Sequence, residues 1–406
     1  MMTFFNRSRY LLVLVLIAAL SNCAGDERLI VEPDEPDDPN GGAAPDEFYF
    51  GADLSYVNQI LDKGGVYKNN NAVESPYKTF ATKGANLARF RLWHNPIWTK
   101  ELYGDDGTQM YNDILDVARG IQKAKDEGMS ILLDFHFSDD WADPGKQYIP
   151  EAWKEIQSIN VLKDSVYQYT LKTLTYLNSH GLMPEMVQVG NETNNGMLYT
   201  DAPDGFPSCN VGTSWSNFRS VVSSGIQAIR DVDEMAGVET KIILHVADPK
   251  NVDWWFTNVT EGGLVRDFDV IGFSYYPVWH RDISLPQLGM TISGFLDDFN
   301  KDVMILETAY PWTSEGNDDY NNLFGGTATE GYPISPEGQT DLMQNITQIV
   351  VDAGGIGVIY WEPAWITSGL LDRWGQGSSW ENNAFYDYDG NANQGFDFMS
   401  KDYGLE

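Results

Sequence analysis

Short runs of β-branched and aromatic residues recur from Phe48 onward, each ending in polar residues and each followed by a stretch with the 3.6-residue period of a helix. Eight such runs are 48–54 (FYFGADL), 85–93 (ANLARFRLW), 131–136 (ILLDFH), 186–191 (MVQVGN), 241–245 (KIILH), 270–275 (VIGFSY), 303–307 (VMILE) and 357–361 (GVIYW). Amphipathic stretches between them, such as 113–127 (DILDVARGIQKAKDE) and 162–178 (LKDSVYQYTLKTLTYLN), supply crossover helices. Eight strand–helix units in series predict an α/β fold, a closed (β/α)8 TIM barrel. The starts of the runs lie about 44 residues apart, more than the roughly 30 that a strand–helix unit needs. Residues 47–406 therefore form one barrel domain with surplus chain in loops. The Gly/Asn/Asp-rich stretches 311–337 and 367–395, after strands seven and eight, are expected to hold much of it.

The first 46 residues follow a different pattern. Arg7 and Arg9 precede an apolar stretch, 10–20, that is too short to span a bilayer comfortably, so 1–22 reads as an export signal and not as fold. Leu20-Ser21-Asn22-Cys23 resembles a bacterial lipobox, with Asn22 where Gly, Ala or Ser is usual. Cys23 is the expected lipidation site, and ordinary secretory cleavage is the alternative. Residues 23–46 are rich in Pro, Gly and acids and read as a solvated tether. The expected location is the cell surface or outer membrane, with the membrane reached through the lipid on Cys23, and the barrel is expected to act as a monomer.

Composition narrows the chemistry. There are 59 acidic and 26 basic residues, a net charge of −33, which repels phosphate backbones and excludes a nucleic-acid partner. Cys23 and Cys209 are the only cysteines, too few for a disulfide framework and wrongly spaced for a CxxC metal site. No HExxH, GxSxG or Walker pattern occurs. With 13 Trp, 21 Tyr and 19 Phe, there are more rings than a core requires, as expected of a cleft that stacks on sugar faces. In a barrel the catalytic residues sit where strands meet their following loops. Run four ends in Asn191-Glu192 and run seven in Glu307. A carboxylate directly after buried apolar residues is costly unless it is paired or used. An ion pair in the barrel mouth accounts for either Glu alone; two Glu ending strands that face each other across the barrel are the pair glycoside hydrolysis needs.

Asn191-Glu192 with Glu307 resembles the large glycosidase clan whose acid/base and nucleophile occupy strands four and seven. More specifically, Gly51-Ala52-Asp53, Arg89-Phe90-Arg91-Leu92-Trp93-His94-Asn95-Pro96, Asp134-Phe135-His136-Phe137-Ser138-Asp139-Asp140-Trp141-Ala142-Asp143-Pro144, Pro336-Glu337-Gly338-Gln339 and Tyr360-Trp361-Glu362-Pro363-Ala364-Trp365 look like the endo-β-1,4-galactanases of glycoside hydrolase family 53. The resemblance implies retaining endo-hydrolysis of β-1,4-galactan, with Glu192 as acid/base and Glu307 as nucleophile. It implies that Arg89 hydrogen-bonds Glu307 and lowers its pKa, that Asn191 holds the sugar 2-hydroxyl, and that Tyr276 orients Glu307. Trp361 would floor the cleaved sugar's subsite, and Asp53, His136, Asp140, Trp141, Ala142 and Asp143 would contact substrate. Calcium, which some bacterial members bind, would fall on Asp318, Asn322, Ser378 and Glu381, although Gly316 and Tyr320 depart from the family's ligand run; catalysis needs no cofactor. Two alternatives are a clan relative cutting mannan or xylan and a catalytically silent glycan-binding barrel, the latter disfavoured because both glutamates are present.

Overall fold

The computed structural model describes residues 48–405; the expected export signal, the lipidation site Cys23 and the tether lie outside them. Eight parallel strands pair in the cyclic order β1-β8-β7-β6-β5-β4-β3-β2 and close on β1. They are β1 Tyr49–Asp53, β2 Leu87–Leu92, β3 Ser130–Phe135, β4 Met186–Val189, β5 Lys241–Ala247, β6 Val270–Ser274, β7 Asp302–Thr308 and β8 Gly357–Tyr360. The expected barrel is present, and each strand falls in its predicted run to within two residues.

Side chains alternate across a strand, so residues two apart share the barrel interior. Leu87, Leu132, Met186 and Ile243 join Val270, Met304, Leu306 and Ile359 in an apolar plug with no measurable exposure. Two residues further along the same strands stand Arg89, Asp134, Gln188 and His245, equally buried but polar. The interior is thus apolar below and charged above, and the charged layer is the base of the site.

β7 breaks the alternation. Its register against β6 shifts between Phe273 and Ser274, which pairs Ser274 with Glu307 and leaves Leu306 as the extra residue. Such a bulge re-aims side chains: Leu306 stays in the plug while Glu307, the next residue, reaches the cleft above it. Gly272 makes room for this, since a Cβ there would lie 2.3 Å from Leu306 Cδ1 and 3.0 Å from Ile243 Cγ2.

Outside the strands run α1 Val57–Asp62, α2 Pro76–Thr82, α3 Ile114–Asp126, α4 Ile159–Ser179, α5 Trp215–Ala236, α6 Val252–Thr260, α7 Leu285–Phe299 and α8 Pro336–Asp352. α3 matches its predicted stretch because Asp113 caps it, accepting the Asp116 N–H at 3.0 Å, and because Val117, Ile121 and Ala124 face inward. One expectation needs correction. No α-helix follows β8 among the described residues; a 3-10 helix, Gln394–Ser400, takes its place and packs on α8, where Thr340 Oγ1 donates to Gln394 O at 2.9 Å. The C-terminal segment then reaches across to the first strand, with Phe396 against Phe80 of α2 and Tyr403 stacked on Phe50 of β1. The surplus chain also extends beyond the loops after β7 and β8, into small two-stranded ribbons after β1 (Lys68–Asn69 with Ala72–Val73) and after β4 (Gly196–Met197 with Cys209–Asn210). No described helix is long and apolar enough to cross a membrane.

Gly272→Ala is expected to destabilise the barrel by about 1–3 kcal/mol through overpacking against Leu306. Urea unfolding followed by circular dichroism measures this, and a wild-type midpoint contradicts it.

Candidate active site

The strand ends open into a cleft of about 860 Å³ lined by Asp53, Arg89, Asp134, His136, Asn191, Glu192, Tyr276 and Glu307, and by the six tryptophans Trp141, Trp279, Trp361, Trp365, Trp374 and Trp380. Its centre is Arg89, whose two terminal nitrogens serve five acceptors. Nη1 donates to Asp53 Oδ2 at 3.0 Å and to Glu307 Oε1 at 2.9 Å; Nη2 donates to Asp134 Oδ2 at 2.9 Å, Asn191 Oδ1 at 2.9 Å and Gln188 Oε1 at 3.2 Å. Burial alone would favour loss of the Arg89 proton, but Asp134, Glu307 and Asp53 outweigh it and hold the guanidinium charged. Burial likewise opposes ionisation of Asp134, yet Arg89 and His136 keep its carboxyl below the usual range.

Glu307 also accepts the Tyr276 hydroxyl on Oε2 at 3.1 Å, so both of its oxygens are held. Arg89 hydrogen-bonds Glu307 and lowers its pKa as expected, but it does not act alone. Burial is the larger influence and raises the carboxyl above its ordinary value; Arg89 pulls it back, and Asp53 and Asp134 push it up again. Glu192 is driven much further, first by burial and then by the charge on Glu307, with the Ser274 hydroxyl opposing. The two carboxyls therefore separate in the direction their expected roles demand: Glu307 ionises first and Glu192 keeps its proton. Glu192 sits at φ 45° directly after the Gly190 turn at φ 86°, a left-handed conformation unusual for Glu and of the kind that accumulates at functional sites.

The loop after β3 closes one side. His136 Nδ1 accepts from Trp93 Nε1 at 3.2 Å and from the Ala142 N–H at 3.1 Å, so Nε2 carries a hydrogen and donates to Asp134 Oδ2 at 3.1 Å. Ala142 returns its carbonyl to Asn191 Nδ2 at 2.8 Å, and Gln147 Nε2 donates to Asn191 O at 2.9 Å. Trp141 lies 5.9 Å from Trp361, which meets Trp380 edge-on at 4.7 Å. Arg91 stacks on Trp141 and Tyr56 at 4.1 and 4.2 Å and pairs with Glu362 at 2.5 Å. Burial pushes Glu362 up to about 8 while Arg91 pulls it down.

The predicted residues largely converge. Asp53, Arg89, His136, Trp141, Ala142, Asp143, Asn191, Glu192, Tyr276, Glu307 and Trp361 all line the cleft. Asp140 does not: it is nearly buried, with Arg373 on Oδ2 at 2.9 Å and the Trp141 N–H on Oδ1 at 2.8 Å, so it shapes the loop that carries Trp141. Asp318, Asn322, Ser378 and Glu381 also come together, between the loops after β7 and β8. Asp318 Oδ2 accepts the Ser378 N–H at 2.9 Å, and Asn322 Nδ2 reaches Glu381 Oε1 at 3.5 Å. Asn322 Oδ1 is buried without a hydrogen-bond partner. The Ser378 hydroxyl donates to Trp365 O and accepts the Trp380 N–H; Asp318 accepts the Tyr320 and Ser378 N–H groups and Glu381 the Asn317 N–H and the Thr367 hydroxyl, so of the side-chain oxygens of these four residues Asn322 Oδ1 alone has no partner. His245, Ser274 and Gln188 were not foreseen. The available signal was the alternation Met186/Gln188 and Ile243/His245, which puts a polar residue above a plug position; Ser274 follows Gly272 by the same two-residue step.

A closed (β/α)8 barrel with glutamates at the ends of β4 and β7 facing one cleft is the architecture of a glycoside hydrolase. The pattern of glycosyl hydrolase family 53 matches residues 49–399, and the chain belongs to that family. It is 43% identical over 361 residues to the arabinogalactan endo-beta-1,4-galactanase of Cellvibrio japonicus, covering 88% of this chain and 91% of that one. The GH53 catalytic domain of Ignisphaera aggregans superposes with a TM-score of 0.76 at 30% identity, covering 87% of this chain and 96% of that one. A fungal beta-1,4-galactanase gives 0.72 at 29% identity, covering 87% and 99%.

Arg89→Lys keeps the charge but cannot reach five acceptors. It is expected to lower kcat by about two orders of magnitude with the fold intact, because small misplacements of reacting groups carry that penalty. Steady-state kinetics with circular dichroism as the folding control measures it.

Proposed function

We propose that this chain is a retaining endo-β-1,4-galactanase that cuts pectic galactan, or type I arabinogalactan, with Glu307 as nucleophile and Glu192 as acid/base. The observation that carries this reading is the contrast between the two glutamates: Glu307 has both oxygens held by Arg89 and Tyr276, while Glu192 is driven to keep its proton. The substrate follows from family membership and from the activity named for the Cellvibrio japonicus relative. Glu307 attacks the anomeric carbon as Glu192 protonates the departing oxygen. A glycosyl–enzyme ester forms, and Glu192, now ionised, takes a proton from the water that releases the sugar with its β configuration restored. Asn191, fixed by Arg89 and Ala142, is placed for the sugar 2-hydroxyl, and Trp361 for the apolar face of a galactose ring.

Hydrolysis of potato galactan, with little activity on mannan or xylan, is the expected specificity. Proton NMR should show the β-anomer first, and Glu307→Gln should retain less than a few per cent of turnover in a folded protein. Release of the α-anomer first, or an active Glu307→Gln, overturns the assignment.

The loops after β7 and β8 are proposed to share a calcium ion through Asp318, Asn322 and Glu381, which would add charge neutralisation between two acids. Burial, and then the neighbouring Asp318, raise the Glu381 carboxyl, and no described Lys or Arg forms an ion pair with either acid. Two carboxylates and an amide leave most of a calcium shell to carbonyls and water. EDTA is expected to lower the melting temperature and calcium to restore it; an unchanged melt refutes the site.

We further propose an exported monomer anchored at the cell surface by acylated Cys23. Radiolabelled palmitate should mark the wild type and not Cys23→Ala, and an unlabelled wild type would refute the anchor.

A further inference from the structure

Arg91 and Glu362 form a buried pair beside the cleft that the proposed reaction does not use. Both are at most 1% exposed, and they meet through a single hydrogen bond, from Arg91 Nη1 to Glu362 Oε1 at 2.5 Å. Arg91 Nε and Nη2 and Glu362 Oε2 are buried without a hydrogen-bond partner. A pair so incompletely satisfied is a poor source of stability, since well-packed apolar side chains of similar size commonly hold a fold as well or better. Glu362 adds to the cost with φ 48°, a left-handed backbone rare for Glu and of the kind that gathers at functional sites. The pair therefore calls for a role beyond holding the barrel together.

Its neighbours supply one. The Arg91 guanidinium lies over the Trp141 ring at 4.1 Å and over the Tyr56 ring at 4.2 Å. Trp93 meets Trp141 edge-on at 5.3 Å, so Arg91 and Trp93 together brace a ring that belongs to the irregular loop after β3. Glu362 directly follows Trp361, the ring just beyond β8. Arg91, on β2, thus joins the places that carry Trp141 and Trp361. Those two rings line the cleft 5.9 Å apart and inclined at 53°, as adjoining faces of one wall. A flat guanidinium stacks on a ring only when its fork is aimed, and a buried acceptor at the end of the fork aims it.

We propose that Arg91 and Glu362 are positioning residues for the polysaccharide: Glu362 aims the Arg91 guanidinium, and the guanidinium holds Trp141 at the angle to Trp361 that a chain of sugar rings meets. The effect falls on binding, because a stacked ring contacts the sugar in the ground state as much as in the transition state.

The proposal rests on the cleft binding galactan. When Arg91→Met and Glu362→Leu are combined, apolar chains replace the whole pair, so the melting temperature should stay near that of the wild type. KM for galactan should nonetheless rise about tenfold with kcat within about a factor of three, the pattern of lost uniform binding. Glu362→Leu alone should raise KM likewise, and Glu362→Gln, which still offers Arg91 an acceptor, should recover most of the loss. Trp141→Ala is the discriminating background: a pair that acts through this ring has nothing left to hold, so adding the double substitution should raise KM no further. A folded double variant with the wild-type KM overturns the proposal, as does a further rise in KM in the Trp141→Ala background. A double variant that melts as low as Arg91→Met alone assigns the pair to folding and overturns it too. The wild type separates the two readings: a wild-type protein inactive on galactan sinks the substrate assignment, whereas an active one with unmoved variants sinks only the role of Arg91 and Glu362.

Discussion

One buried guanidinium carries most of the organisation of this site. Arg89 is almost wholly buried and meets three carboxylates, of Asp53, Asp134 and Glu307, each from a different strand. A lone buried cation of this kind would be strongly destabilising, and so would any of the three acids without it. Together they fix the upper ends of β1, β2, β3 and β7 with respect to one another. The arrangement also divides the acids by function. Arg89 draws Asp134 and Glu307 toward ionisation, and Glu192, which does not hydrogen-bond to it, is left chiefly to the influence of burial and of the Glu307 charge.

Around that hub the protein uses backbone irregularity to aim side chains. The β7 bulge sends consecutive residues Leu306 and Glu307 to the plug and the cleft, something a regular strand cannot do. The left-handed turn at Gly190 and Glu192 does the same at the end of β4. Loop contacts then lock the aim. Ala142 holds Asn191, Arg373 holds the Asp140 that shapes the Trp141 turn, and the loops after β7 and β8 are joined where Tyr320 donates to Asp372 at 2.6 Å and the Trp312 N–H donates to Asn382 O at 2.8 Å. Polar cross-links, as well as ring packing, order these apolar-poor segments.

Much of this was legible in the chain because the strands are buried on both faces and bounded by polar ends, so apolar runs mark them and the residue after each run marks the cleft. Glu192, Glu307 and Arg89 stand at such positions. What escaped depends on contacts between strands. Ser274 lies within an apolar run and looks like a small core residue until the β6 register places it opposite Glu307. His245 ends a predicted run two residues before the strand itself ends, because Val246 and Ala247 continue the ladder to β6. Asp140 belongs to a motif whose neighbours reach the cleft, yet Arg373, 233 positions later, draws its carboxylate away. The lack of an α-helix after β8 among the described residues reflects composition: the Gly/Asn-rich stretch there packs through Phe385, Phe396 and Phe398 and not through an amphipathic face.

That substitution of a short 3-10 turn for the last helix bears on how the molecule is made. The seam between β1 and β8 joins the two ends of the domain in sequence, and it is sealed by Phe396 and Tyr403, within the final dozen residues. Contacts of such long sequence separation form late in folding. The first strand lacks its second neighbour until β8 and the segment carrying Phe396 and Tyr403 have docked, so the barrel stays open until then. The closing residues thus postpone the compact state until both edges of the sheet are available to pair.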